Sequence, residues 1–352
     1  MRARWERTVQ RLGRRGAAAA VVAAVLLLAA LVVVPVTMTG NAPSCQKTPR
    51  PRNCPPPAPW PTLSVPPRPL SPVAVATQGE YVALGDSYSA GEGAYAVPAD
   101  TAPDNACHRT SLAYPQIIAG NYKFAHGMAF WACSGARIGN VLNGQHGEPP
   151  QLSRLSTDTS LVTISIGGND TGFTRVLEGC VIKLPWTAGC RDQGLRISER
   201  LQTLRGALKD VLAKIVARAP NARIIVLGYP RLFSEASANR LANNLGLSDQ
   251  QWLNARGREM DQLIRQVVQD QDQAIVTSRG KGSCEYVDTY SAFAGHEVGS
   301  SAPYVNNLDV SLTALVAEPD SFHPTAAGYQ ALATLVKKQV EAGPGRTILQ
   351  FR

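Results

Sequence analysis

Tyr81-Val82-Ala83-Leu84-Gly85-Asp86-Ser87 is the stretch on which the fold turns. Four apolar residues run unbroken into a glycine and the chain then becomes polar, the pattern of a short buried strand that empties into a loop. Comparable runs recur at Met128–Trp131, Leu161–Ile166, Arg223–Leu227 and Tyr286–Asp288. Between them lie helical patterns at Ala113–Asn121, Ile197–Arg218 (closed by Pro220), Asp249–Asp270 and Ala326–Glu341. Strands alternating with helices predict an α/β fold with a largely parallel sheet. Such sheets bind ligands beyond the carboxyl ends of their strands. Gly85-Asp86-Ser87 follows the first run, Cys133-Ser134-Gly135 the second and Gly167-Gly168-Asn169-Asp170 the third, so three loops are expected to meet at one edge.

Ser87 stands where a strand gives way to a helix. Its hydroxyl would be exposed there and its backbone N–H free, which suits a nucleophile that also helps to bind an oxyanion. Taken alone, the tripeptide more often marks a simple helix cap. A serine nucleophile needs a base, and Asp320-Ser321-Phe322-His323-Pro324, just before the last helical pattern, offers one. His323 would take the proton, and Asp320, three residues earlier, would fix its tautomer and stabilise the imidazolium. His108, His126, His146 and His296 have no such neighbour in the sequence. The N–H of Ser87, the N–H of Gly135 and the side-chain amide of Asn169 are the candidate oxyanion donors, since glycine allows close backbone approach and asparagine donates without a charge.

The N-terminus carries basic residues up to Arg15 and then an apolar run from Ala17 to Val36, long enough to cross a bilayer. An uncleaved anchor is expected over a cleaved signal peptide, because no clean A-x-A site precedes Asn41. Arginines before the run keep that end cytoplasmic and place the rest outside. From Ala42 to Pro72 the chain is crowded with proline and reads as an extended spacer. The expected organisation is therefore a membrane or signal segment over 1–40, a Pro-rich linker over 41–76 and a catalytic domain over 77–345, either membrane-tethered or secreted. The first seventy residues hold ten basic side chains against Glu6 alone, which accounts for the whole formal charge of +9. The domain itself is balanced and has no preference for nucleic acid.

Seven cysteines in an exported chain, with no C-x-x-C pair and no cluster of metal-ligand spacing, predict disulfides and no metal site. Candidate pairs are Cys107 with Cys133, Cys180 with Cys190 and Cys45 with Cys54. Connectivity stays open at this point. Cys284 is left over, to be buried, paired between chains or joined to a linker cysteine.

The four blocks just described resemble, in order, those of the SGNH (GDSL) hydrolases: Gly85-Asp86-Ser87 is similar to the nucleophile block, Gly135 within Ala132–Ala136 to the glycine block, Gly168-Asn169-Asp170 to the asparagine block and Asp320-x-x-His323 to the base block. The likeness runs from about Glu80 to Glu341. It implies a flavodoxin-like three-layer α/β/α sandwich with a five-stranded parallel sheet, and ester hydrolysis through an acyl-enzyme without metal or organic cofactor. Cys107 ahead of Tyr114-Pro115, the Ala132–Ala136 stretch and Ala292–Glu297 resemble the exported, disulfide-bonded bacterial lipases and esterases of that family. Those enzymes carry a further cysteine after Gly-His-Glu, where this chain has Gly299-Ser300-Ser301, so Cys284 lacks its implied partner. Some of the family use a backbone carbonyl in place of the acid; Asp320 implies a full triad here. The substrate expected is an acyl ester, either a lipid or, as the alternative, an acetylated cell-envelope glycan; a non-catalytic envelope-binding domain is the rival of another class. An apolar acyl groove would favour the lipid.

Overall fold

Five short runs of branched and aromatic residues assemble into one sheet in the computed structural model, which describes residues 68–97, 104–182, 189–311, 316–348 and 350. In chain order the helices and strands are α1 (Pro72–Thr77), β1 (Glu80–Gly85), α2 (Ser87–Ala90), α3 (Tyr114–Asn121), β2 (Met128–Phe130), α4 (Ile138–Asn143), β3 (Thr159–Ser165), α5 (Gly168–Thr171), α6 (Phe173–Val181), α7 (Gly194–Arg218), β4 (Arg223–Leu227), α8 (Arg240–Asn243), α9 (Leu247–Thr277), β5 (Ser283–Val287), β6 (Val310–Ser311), β7 (Val316–Ala317) and α10 (Ala326–Ala342). The strands order as β2-β1-β3-β4-β5 and every pairing among them is parallel. This is the flavodoxin-like order, whose direction reverses between β1 and β3. Every residue of β3 and β4 is buried, as befits strands covered on both faces.

The covering helices form two groups: α10 packs on α3 and α1, and α7 packs on α9 and α4. Helix α7 buries Ile197, Leu201, Leu204, Leu208, Val211, Leu212 and Ile215, the one-sided stripe of an amphipathic helix. Helix α10 begins at Thr325, whose hydroxyl accepts from the Gly328 N–H at 3.1 Å, the usual service of a threonine N-cap. The expected three-layer α/β/α architecture with five parallel strands is thus observed.

Within the stretch expected as linker, α1 turns Val75 and Ala76 into the core. The fifth strand starts at Ser283, ahead of the expected Tyr286, because its early residues are polar yet buried: Glu285 forms a two-pronged ion pair with Arg223 of β4 at 2.8 and 2.7 Å. The expected membrane segment, most of the linker and the Cys45–Cys54 pair lie outside the described residues. Among the described residues, no helix is long and apolar enough to cross a membrane.

Candidate active site

Strand β1 ends at Gly85 with φ +126°. A side chain there would drive its Cβ to 2.5 Å from the Ser165 carbonyl oxygen, so only glycine lets the chain turn this close to β3. Helix α2 starts directly afterwards. Asp86 caps it, its carboxylate accepting from the Tyr88 N–H at 3.1 Å. The cap is therefore real, and it holds Ser87 at the first helical position, where the N–H has no partner within the helix. Ser87 lies at the carboxyl edge of the sheet, at the β1/β3 reversal where a ligand crevice is expected.

The base arrives from the other end of the chain. His323 Nε2 lies 2.8 Å from Ser87 Oγ, within reach for proton transfer. The residue before it, Phe322, sits at φ +64°, a conformation that costs a bulky residue free energy and persists only where surroundings impose it. Two contacts impose it: the Tyr88 hydroxyl donates to the Phe322 carbonyl at 2.8 Å, and the Phe322 ring packs edge-on against Phe233. Asn306 completes the clamp, donating its backbone N–H to the His323 carbonyl at 2.9 Å and its side-chain amide to the Gly93 carbonyl.

Asp320 does not make the expected hydrogen bond. Its carbonyl accepts from the His323 N–H at 3.1 Å to close the turn, but His323 Nδ1 is buried without a hydrogen-bond partner among the described residues. The Asp320 charge acts on the ring through space, and the carbonyls of Pro319 and Ser321 also favour the charged form. Burial outweighs all of these and holds the imidazole below its ordinary value.

Ser87, Gly135 and Asn169, which carry the three expected oxyanion donors, line one cavity. The N–H groups of Ser87 and Gly135 donate to no described acceptor, and Gly135 has φ +74°. Asn169 gives one amide hydrogen to the Ala136 carbonyl at 3.0 Å, which fixes the amide and leaves its second hydrogen for the site. The Cys107–Cys133 disulfide anchors the Gly135 loop two residues upstream, and the Ser134 N–H adds a bond to the Cys107 carbonyl at 3.0 Å. Cys180–Cys190 is the second bridge. Cys284 is buried and free.

Three neighbours escaped the sequence reading. Tyr229, after β4, donates its hydroxyl to the Asp86 carboxylate and accepts from the Gly168 N–H at 2.9 Å, tying the nucleophile and asparagine loops together. Burial pushes the Asp86 carboxyl up to about 7, against the Tyr229 hydroxyl and the Tyr88 N–H, which favour its charge. Glu92, just past α2, is buried and receives His108 Nδ1 at 2.8 Å; His108 thus does have a carboxylate neighbour, one that lies sixteen residues away in sequence. Beside Ser87, Gly135, Asn169 and His323 opens a cavity of about 320 Å³ whose apolar wall includes Phe173 and Leu177 of α6, Leu232 and Phe233, and Leu253 and Met260 of α9.

Similarity to known proteins follows the same blocks. The profile of the GDSL-like Lipase/Acylhydrolase family matches residues 83–331. Lipase 1 of Streptomyces coelicolor is 34% identical over 255 residues, covering 70% of this chain and 81% of its own. The crystal structure of phospholipase A1 from Streptomyces albidoflavus superposes with a TM-score of 0.61 at 32% identity, covering 74% of this chain and 99% of that one. The extracellular lipase of Streptomyces rimosus does so with a TM-score of 0.59 at 31% identity and the same coverage. By its blocks, its sheet order and these likenesses, the chain belongs to the GDSL-like lipase/acylhydrolase family and is a carboxylic ester hydrolase.

Proposed function

We propose that the protein hydrolyses esters of extended acyl chains by two-step acyl transfer from Ser87, outside the cytoplasmic membrane. Ser87 Oγ attacks the ester carbonyl carbon as its proton passes to His323 Nε2, and the resulting oxyanion sits against the N–H groups of Ser87 and Gly135 and the Asn169 amide. The tetrahedral intermediate collapses, the alkoxide leaves with the proton from His323, and a water molecule repeats the cycle to release the carboxylic acid. Asp320 favours the imidazolium by its charge.

The observation that carries the choice of substrate is the apolar cavity beside Ser87. An acetyl group would leave such a wall wet and unused, whereas each buried methylene of a longer chain contributes about 0.8 kcal/mol. Lipases and a phospholipase among its relatives support the same reading. Two disulfides support an oxidising location, and the apolar run Ala17–Val36 supports export as an anchor or a signal.

The test is hydrolysis of p-nitrophenyl esters from acetate to palmitate by the full chain. We expect kcat/KM to peak well beyond acetate, and Leu177→Trp, which narrows the cavity, to lower long-chain turnover about tenfold while sparing acetate. A profile that falls steadily from acetate, together with release of acetate from acetylated glycans, would replace this reading with carbohydrate deacetylation.

A further inference from the structure

Glu92 is a buried carboxylate, 1% exposed, at the edge of the catalytic cavity, and neither the nucleophile, the base nor the oxyanion donors account for it. Burying a charge is costly unless it is held by donors, and this one is held by three: the hydroxyl of Tyr95, the hydroxyl of Ser134 and Nδ1 of His108. Burial works to raise its pKa, but the His323 ring and these hydrogen bonds together bring it below the ordinary carboxylate value. The anion is therefore kept at neutral pH, inside the domain, at evident cost.

Its position explains what that charge is near. Glu92 follows the nucleophile's helix, donating its N–H to the Ser87 carbonyl at 3.2 Å, and its own carbonyl accepts from Tyr329 at 2.9 Å. The next residue, Gly93, runs so close beneath the base that an added Cβ would lie 3.0 Å from His323 Cβ. Ser134, which donates to the carboxylate, immediately precedes Gly135. Glu92 thus lines the same cavity as His323, and its side chain grips the loop that bears Gly135.

We propose that Glu92 is a positioning residue of the hydrolase: its carboxylate is a counter-charge to the imidazolium formed when Ser87 is deprotonated, and through Ser134 it fixes the loop carrying the Gly135 N–H. This rests on the serine-hydrolase reading above. The groups facing His323 are Ser87 Oγ, the Tyr88 ring at 5.2 Å, Glu92, Asp320 and the carbonyls of Pro319 and Ser321. Among the charges, Glu92 favours the imidazolium more than Asp320 does. Those facing Glu92 are His108, Tyr95, Ser134 and His323.

The experiment is the pH profile of kcat and kcat/KM on a soluble nitrophenyl ester for the full chain and for Glu92→Gln, Asp320→Asn and His108→Gln. Neutral imidazole is the active form, so kcat/KM rises with pH through the His323 pKa. Removing the anion that favours imidazolium moves this acidic limb downward. For Glu92→Gln we expect a downward move of about one pH unit and a plateau kcat about tenfold lower, with a smaller move for Asp320→Asn. Ser134→Ala is the second variant, decisive if Glu92→Gln does not fold: it keeps the charge and frees the loop, and plateau kcat is expected to fall several-fold with KM little changed. An acidic limb and plateau in folded Glu92→Gln that match wild type, a limb that follows His108→Gln instead, or a Ser134→Ala enzyme with wild-type kcat overturns the proposal. Wild-type turnover by Ser87→Ala would instead overturn the serine-hydrolase reading beneath it.

Discussion

Asn169 is held before any substrate binds: its amide gives one hydrogen to the Ala136 carbonyl, and in the proposed mechanism the other hydrogen meets the oxyanion without further ordering, the condition for effective stabilisation. Asn169→Ala is expected to lower kcat by roughly 10²–10³-fold with KM little changed, which steady-state kinetics on a short-chain ester would check; a change confined to KM would mean that the amide binds substrate and not the oxyanion. Ser87, His323, Gly135 and Asn169 stand out in the sequence because each is proposed for a chemical role that few residue types fill. The spacing of Asp320 from His323 shows proximity in a turn, but not whether a hydrogen bond to Nδ1 forms. Phe322 at φ +64° and the pairing of Glu92 with His108 carry no sequence signal, because both are imposed by contacts distant along the chain.

The turn from β1 into α2 places a capping carboxylate in the interior, directly behind the nucleophile. Asp86 binds its proton with a pKa of about 7 in the folded protein against about 3.9 in an unfolded chain. The native state therefore holds more protons between these values, and this group's contribution to stability is present below about pH 4 and is lost as pH rises through about 7. Asp86→Asn keeps the capping ability and should flatten that part of the curve of Tm against pH, measured by thermal unfolding from pH 4 to 8; an unchanged slope would show that Asp86 is charged throughout. At this scale the long helices α7 and α10 were readable, since their apolar stripes extend over several turns. Among the short helices, α3 was readable but α1, α4 and α6 were not, since one or two turns carry little periodicity. The start of β5 was hidden by Ser283 and Glu285: Ser283 donates to Glu285 within the strand, and Glu285 is buried against a partner in another strand, Arg223.

That partner shows how the whole domain separates stability from chemistry. Arg223 is fully buried and joins β4 to Glu285 of β5, to the Pro72 carbonyl at the start of α1 at 2.9 Å and to the Gln339 and Val340 carbonyls of α10. It opens β4, so this hub lies at the edge of the sheet opposite the catalytic loops. Glu285→Gln would leave the guanidinium buried without its counter-charge, at about 3–5 kcal/mol. We expect a matching drop in the stability measured by denaturant unfolding, with kcat of the folded enzyme unchanged; a fall in kcat at equal folded fraction would mean that the two edges are coupled. The alternation of strands and helices made the α/β class readable, but the strand order depends on which strands pair, which the alternation leaves open.

Whether Ser87 is an activated nucleophile is read out by labelling of the full chain with a fluorophosphonate, located by peptide mass spectrometry. We expect a single adduct on Ser87, absent in Ser87→Ala and strongly slowed in His323→Ala. An unlabelled wild-type protein that is folded, or an adduct on a different serine, would contradict it.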